Sequence, residues 1–211
     1  IGYQALTAIT TGATGLTAVG YNCLTAVTSG TALTALGYTA GSAVTTSANS
    51  TFIGYAAGLN CTGGNNTFLG CNAGIGAVAS TATDNVGIGL NCLGVYSTGS
   101  NNIAIGTTAG AAITTGSRNV LIGVNAGSLC TTNTDNTMIG HGTTCAATGG
   151  GNTVVGGLCL ISTPINSCCV LGFANSVGHS NCIVLGTNIT TAAASRLYLG
   201  SVAQPLGVAT G

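Results

Sequence analysis

Ten residues, NNTFLGCNAG at 65–74, return as NNIAIGTTAG at 101–110 and as RNVLIGVNAG at 118–127. A chain that changes its letters and keeps its places is a repeat, and repetition restricts the fold before any other property does. Anchored on the glycine that follows an aliphatic residue, the repeat runs through Gly2, Gly20, Gly37, Gly54, Gly70, Gly89, Gly106, Gly123, Gly140, Gly156, Gly172, Gly186 and Gly200. Successive anchors lie 18, 17, 17, 16, 19, 17, 17, 17, 16, 16, 14 and 14 residues apart. A period of that size, edited by a few residues per unit, predicts stacked coils that each carry a variable loop. Residues 1–200 read as one β-roll repeat domain, and 201–211, where Pro205 breaks the period, as a C-terminal junction or linker.

The columns before the anchor favour strand. Ile, Val or Leu immediately precedes every anchor, as Val19, Leu36, Ile53, Leu69, Ile88, Ile105, Ile122, Ile139, Val155, Leu171, Leu185 and Leu199 after the opening Ile1. Three before the anchor stand Thr17, Thr34, Thr51, Thr67, Val86, Ile103 and Val120, which share a strand face with the aliphatic column. That face is expected to be the core. The residue between them, on the opposite face, is also apolar in most units, as at Phe52, Phe68, Leu121, Met138 and Val154. A coil of 14 to 19 residues is too small to cover both faces of its own strand, so a second copy of the chain is expected over the other face. Four before the anchor, Asn66, Asn85, Asn102, Asn119, Asn136 and Asn152 predict a ladder of corner residues at the strand start. Tyr3, Tyr21, Tyr38 and Tyr55 follow the first four anchors and predict a stacked, packing ladder. Twelve intervals at about 4.8 Å would make a rod of roughly 58 Å.

Composition narrows the function. Of 211 residues only two are Lys or Arg and two Asp or Glu, yet 45% are hydrophobic. The chain is therefore too apolar for ordinary disorder, and it has no basic cluster with which to hold a nucleic-acid backbone. No apolar run is long enough for a membrane-inserted span. The opening at Ile1-Gly2, inside a motif and without Met, predicts a processed or excerpted segment. His141, His179, Asp84 and Asp135 form no catalytic motif, so no catalytic, cofactor-binding or metal-binding residue is assigned and no enzyme activity is expected. Ten cysteines without a C-x-x-C pair or a histidine at ligand spacing argue against zinc. Most substitute for Ala or Ser in a column and read as small hydrophobes. Cys168 and Cys182, both four before an anchor on successive coils, are the expected disulfide candidates. Sequons at Asn49, Asn60, Asn65 and Asn188 are candidate glycosylation sites.

The N-x-x-I-G-x-x-A-G pattern, written at Asn102 to Gly110 and at Asn119 to Gly127, resembles the head repeats of YadA-type trimeric autotransporter adhesins. The stretches GYQALTAITTG and NCIVLGTNITTAAASRLYLG are similar to repeats of tail-fibre-like proteins of phages and large algal or amoebal viruses. The resemblance implies an all-β chain, a parallel, left-handed β-solenoid of about 12–13 coils assembled as a homotrimer. It also implies a place outside the cell, on a cell or virion surface, as a fibre or adhesin head that contacts a host receptor or glycan. Two other functions suit the residues: a self-assembling filament polymerising end to end, and an ice-binding solenoid with Thr arrays.

Overall fold

The computed structural model describes residues 2–10, 12–146, 148–201 and 204–205. Eight strands of three residues come first: β1 (Thr17–Val19), β2 (Thr34–Leu36), β3 (Thr51–Ile53), β4 (Thr67–Leu69), β5 (Val86–Ile88), β6 (Ile103–Ile105), β7 (Val120–Ile122) and β8 (Thr137–Ile139). The order continues with β9 (Thr144–Cys145), β10 (Thr153–Gly157), β11 (Leu160–Ile161), β12 (Cys169–Phe173), β13 (Ser176–Val177), β14 (Ile183–Thr187), β15 (Leu197–Ser201) and β16 (Gln204–Pro205). Strands β1 to β8, β10, β12, β14 and β15 pair in parallel and in anchor register, Thr17 with Thr34 and Gly172 with Gly186. The chain is thus an all-β parallel solenoid of about 11 turns, one or two fewer than the anchors suggest. The first anchor, Gly2, belongs to no strand, and its preceding Ile1 lies outside the described residues. Of the expected junction at 201–211, Gln204–Pro205 pairs antiparallel with the last coil, and most of the remainder lies outside the described residues.

The anchor is glycine for two reasons. From Gly20 to Gly200 its φ runs between 116° and 142°, a region closed to residues with a Cβ. A Cβ at Gly106 would also stand 2.5 Å from the carbonyl oxygen of Gly123 in the next coil. The chain turns away from the sheet there while its amide still completes the ladder, as Gly54 N–H donates to Leu36 O at 2.8 Å. Two residues on, left-handed backbone at Asn22, Asn72, Asn91, Asn125 and Asn188 explains the recurrent Asn.

Inside, the middle strand residue is buried in every coil, from Ala18, Ala35, Phe52 and Phe68 to Val170, Val184 and Tyr198. Sizes compensate across the lumen. A Cβ on Gly58 or Gly74 would strike the ring of Phe52 or Phe68, and one on Gly87 would meet the ring of Phe68 from the preceding coil and the thiol of Cys92. The third side of the coil contributes Val27, Val44, Cys61, Tyr96, Ile113 and Cys130 to the same core. From Gly140 onward the coils shorten, and this side straightens into a second parallel sheet in the order β13-β11-β9.

The column four before the anchor is buried as well, and it forms a continuous hydrogen-bond ladder. Asn66 N–H donates to Ser50 Oγ, Asn85 N–H to Asn66 Oδ1, and so on through Asn102, Asn119, Asn136 and Asn152, at 2.9–3.1 Å. Each carboxamide in addition donates to a backbone carbonyl, Asn102 Nδ2 to Gly116 O of the next coil at 2.9 Å and Asn136 Nδ2 to Thr134 O of its own at 3.1 Å. These residues are interior struts and not exposed corners. Their burial corrects the expected core. Because side chains alternate, a buried column at four before the anchor places the middle residue inside and turns the residues one and three before it outward. Val19, Leu36, Leu69 and Leu171 are accordingly 40–47% exposed. Ile53, Ile88, Ile105, Ile122 and Leu199 are half-buried and Ile139, Val155 and Leu185 exposed, so none of the twelve residues assigned to the core column lies in the core of the chain.

Cysteine also departs from expectation. A disulfide joins Cys130 and Cys145 on neighbouring coils, while Cys168 and Cys182 are free, buried thiols. The latter pair continues the Asn ladder instead: Cys168 N–H donates to Asn152 Oδ1, and Cys182 N–H to Cys168 Sγ at 3.5 Å. Each thiol donates to a lumen carbonyl, of His179 at 3.2 Å and Ala193 at 3.3 Å, which leaves both sulfurs engaged.

Substituting Asn102→Leu removes the acceptor of Asn119 N–H and strands Gly116 O, and should cost on the order of 3 kcal/mol in denaturant unfolding. Asn101→Gly, at the exposed left-handed residue just before it, should change stability by less than about 0.5 kcal/mol. Equal effects would contradict the strut assignment. Desolvation pushes the Cys92 thiol up to about 11 and raises the thiols of Cys23, Cys61 and Cys168 and the Tyr96 hydroxyl. The unfolded chain releases these protons first, so stability is intact below the ordinary thiol value of 9.0 and declines as pH rises toward 11. Thermal melts across that interval should show a falling midpoint, and a constant midpoint would contradict the burial of these groups.

Candidate interaction surface

A long exposed feature follows directly from the phase of the strands. Along the outer face of the long sheet run two parallel columns, Thr17, Thr34, Thr51, Thr67, Val86, Ile103 and Val120 in one, and Val19, Leu36, Ile53, Leu69, Ile88, Ile105 and Ile122 in the other. Their spacing is the strand spacing, about 4.8 Å. Every contributing strand has the same length and register through β8. It bears no charged residue, and an exposed apolar strip of this length is unusual for a solitary chain.

A third column borders it. Tyr3, Tyr21, Tyr38 and Tyr55 stack with ring centroids 5.3, 5.1 and 5.2 Å apart and planes within 12°. The ladder is surface, not packing: its members are 42–67% exposed. Because neighbouring rings cover each other's faces, the ladder presents ring edges and hydroxyls and not bare faces for a sugar to stack on. Cys71 takes the next place in this column and is an exposed thiol.

At the other margin, five before the anchor, a left-handed residue precedes each of β1 to β8, β10, β12, β14 and β15, and Asn49, Asn65, Asp84, Asn101, Arg118 and Asp135 stand there exposed. Three of the four formal charges of the chain therefore share one column. Asn49 Nδ2 donates to Asn65 Oδ1 at 3.2 Å and Asn65 Nδ2 to Asp84 Oδ1 at 3.0 Å. Arg118 grips Asp135 with both Nε and Nη2, at 2.6 and 2.8 Å, and holds that carboxyl below its usual range. The sequon residues Asn49, Asn65 and Asn188 are exposed, whereas Asn60 is half-buried and donates its amide to Gly76 O.

The polar residues with catalytic potential occupy separate places. Asp135 is paired with Arg118, Asp84 accepts from Asn65, and His179 Nδ1 bonds Thr191 Oγ1 at 3.1 Å. Among the described residues no three His, Cys, Asp or Glu side chains come together to hold a metal ion, and no helix is long and apolar enough to cross a membrane. The sequence placed the face for a second copy at the middle strand column, Phe52, Phe68, Leu121, Met138 and Val154, but these line the chain's own lumen and the opposite face is the outer one; the buried Asn column is the signal that distinguishes them.

Ile122→Asp, on the outer face, should leave the circular dichroism spectrum that of a folded β chain. Leu121→Asp, one residue earlier and fully buried, should abolish folding. The reverse result would invert the assignment of the two faces. No protein family, curated protein or solved structure matches the chain.

Proposed function

We propose that the chain is a structural or adhesive segment of a fibre outside the cell, on a cell or virion surface. In this reading copies associate as a homotrimer through the outer sheet face, and the variable loops meet a host receptor or glycan. The single observation that carries it is the outward-facing aliphatic column from Val19 to Leu199, twelve strands long, of which seven members are exposed and five half-buried. Covering such a strip calls for a surface with the same spacing at every coil, and another copy of the chain supplies that match without any change of register. The scarcity of charge favours the same assembly, since no like charges on the face oppose it.

One observation favours a second reading. The Thr column turns outward, so Thr17, Thr34 and Thr67, exposed, and Thr51, half-buried, form an array one strand spacing apart, the arrangement an ice-binding solenoid would need.

Light scattering on the native particle, with electron microscopy, tests both. The fibre reading expects discrete rods of three chains that fall to single chains in the Ile122→Asp variant. Long filaments in place of discrete rods would make end-to-end polymerisation the function. A stable single chain that shows thermal hysteresis would replace the fibre with the ice-binding solenoid, and a single chain without it would end both.

A further inference from the structure

The tyrosine ladder has a chemistry that neither adhesion nor packing uses. Four phenols stand in van der Waals sequence on the surface, at centroid separations of 5.1–5.3 Å and with planes 4–12° apart. They are held in this order by the coils beneath them, whose backbones are joined by bonds such as Asn22 N–H to Tyr3 O at 3.0 Å and Thr39 N–H to Tyr21 O at 2.8 Å. The remaining tyrosines are buried elsewhere: Tyr96 packs on Phe68 in the lumen, and Tyr198 directs its hydroxyl to Ala193 O. Only the ladder therefore combines phenol beside phenol with access for an oxidant.

We propose that the ladder is a site of oxidative cross-linking, in which adjacent tyrosines of one chain couple into dityrosine and fasten successive coils covalently. The oxidant is a peroxide used by a haem peroxidase. Each of two phenols loses one electron and one proton to become a phenoxyl radical, and the radicals join through carbons ortho to their hydroxyls. Both ring carbons then return their hydrogens as the rings become aromatic again, the phenol oxygens regaining protons. Overall two tyrosines and one hydrogen peroxide give one dityrosine and two waters. Placement supplies the rate advantage: two radicals already side by side on neighbouring coils couple as an intramolecular pair, whereas scattered surface tyrosines must meet by diffusion. The pairs on offer are Tyr3 with Tyr21, Tyr21 with Tyr38, and Tyr38 with Tyr55.

The test uses two double variants that keep four stacked rings and two ladder phenols each, so the fold and the number of oxidisable groups are the same. Tyr3→Phe with Tyr55→Phe leaves Tyr21 and Tyr38 adjacent at 5.1 Å, while Tyr21→Phe with Tyr55→Phe leaves Tyr3 and Tyr38 on coils separated by one. After treatment with hydrogen peroxide and peroxidase, the adjacent variant should form dityrosine fluorescence, lose two hydrogens in intact mass and still migrate as a single chain. The separated variant should yield less by about tenfold or more. Equal yields from the two variants, links found only between chains, or no dityrosine in the unaltered protein would each overturn the proposal.

Discussion

Everything in this fold depends on one close approach, that of each anchor glycine to the anchor glycine of the next coil. At these points the backbone takes a conformation forbidden to other residues and presses against the neighbouring carbonyl with no room for a Cβ. Fixing that contact fixes the register of the whole coil. It explains why the glycine never varies while loops of different length are accepted elsewhere: a loop can bulge outward, but the anchor must lie on its counterpart. The strands, the lumen and the outer face are all consequences of stacking at that line.

Stacking then turns single residues into columns, and a column has properties its members lack. A buried Asn in an ordinary core is a liability, since each polar group must find a partner in a low dielectric. Here the next coil supplies the amide donor and a nearby backbone carbonyl accepts from the carboxamide, so the cost is met from rung to rung. The polar ladder in turn sets which way every strand faces. A lumen lined largely by alanine, glycine and cysteine is workable because compensation is local, Gly74 against the ring of Phe68 in one coil and Gly87 against that ring and the Cys92 thiol in the next.

The period, the strand positions and the parallel pairing were legible in the letters, because Gly106 and its equivalents are required by covalent geometry and cannot drift. The direction in which the strands face was not. Both faces of Val120-Leu121-Ile122 are apolar, so hydrophobicity carries no information about phase, and the one column that does, from Asn66 to Asn152, looks like a turn signal in sequence. The disulfide was hidden for another reason. Cys168 and Cys182 hold the same place relative to their anchors, whereas Cys130 and Cys145 lie seven and five residues after theirs. They meet because the coil shortens as the third side becomes strand β9, a change that counting from the anchor does not register.

The ladder of Asn side chains has a further property. In each rung from Asn66 to Cys182 the backbone N–H of the later coil donates to the side chain of the earlier one, so all the bonds point the same way. A stretch of such coils thus has an acceptor end and a donor end, and the two are chemically different. Should coil ends ever meet, head would satisfy tail, while head against head would oppose two rows of like groups. Polarity along the axis is built into the interior of the rod, out of reach of salt or surface substitution.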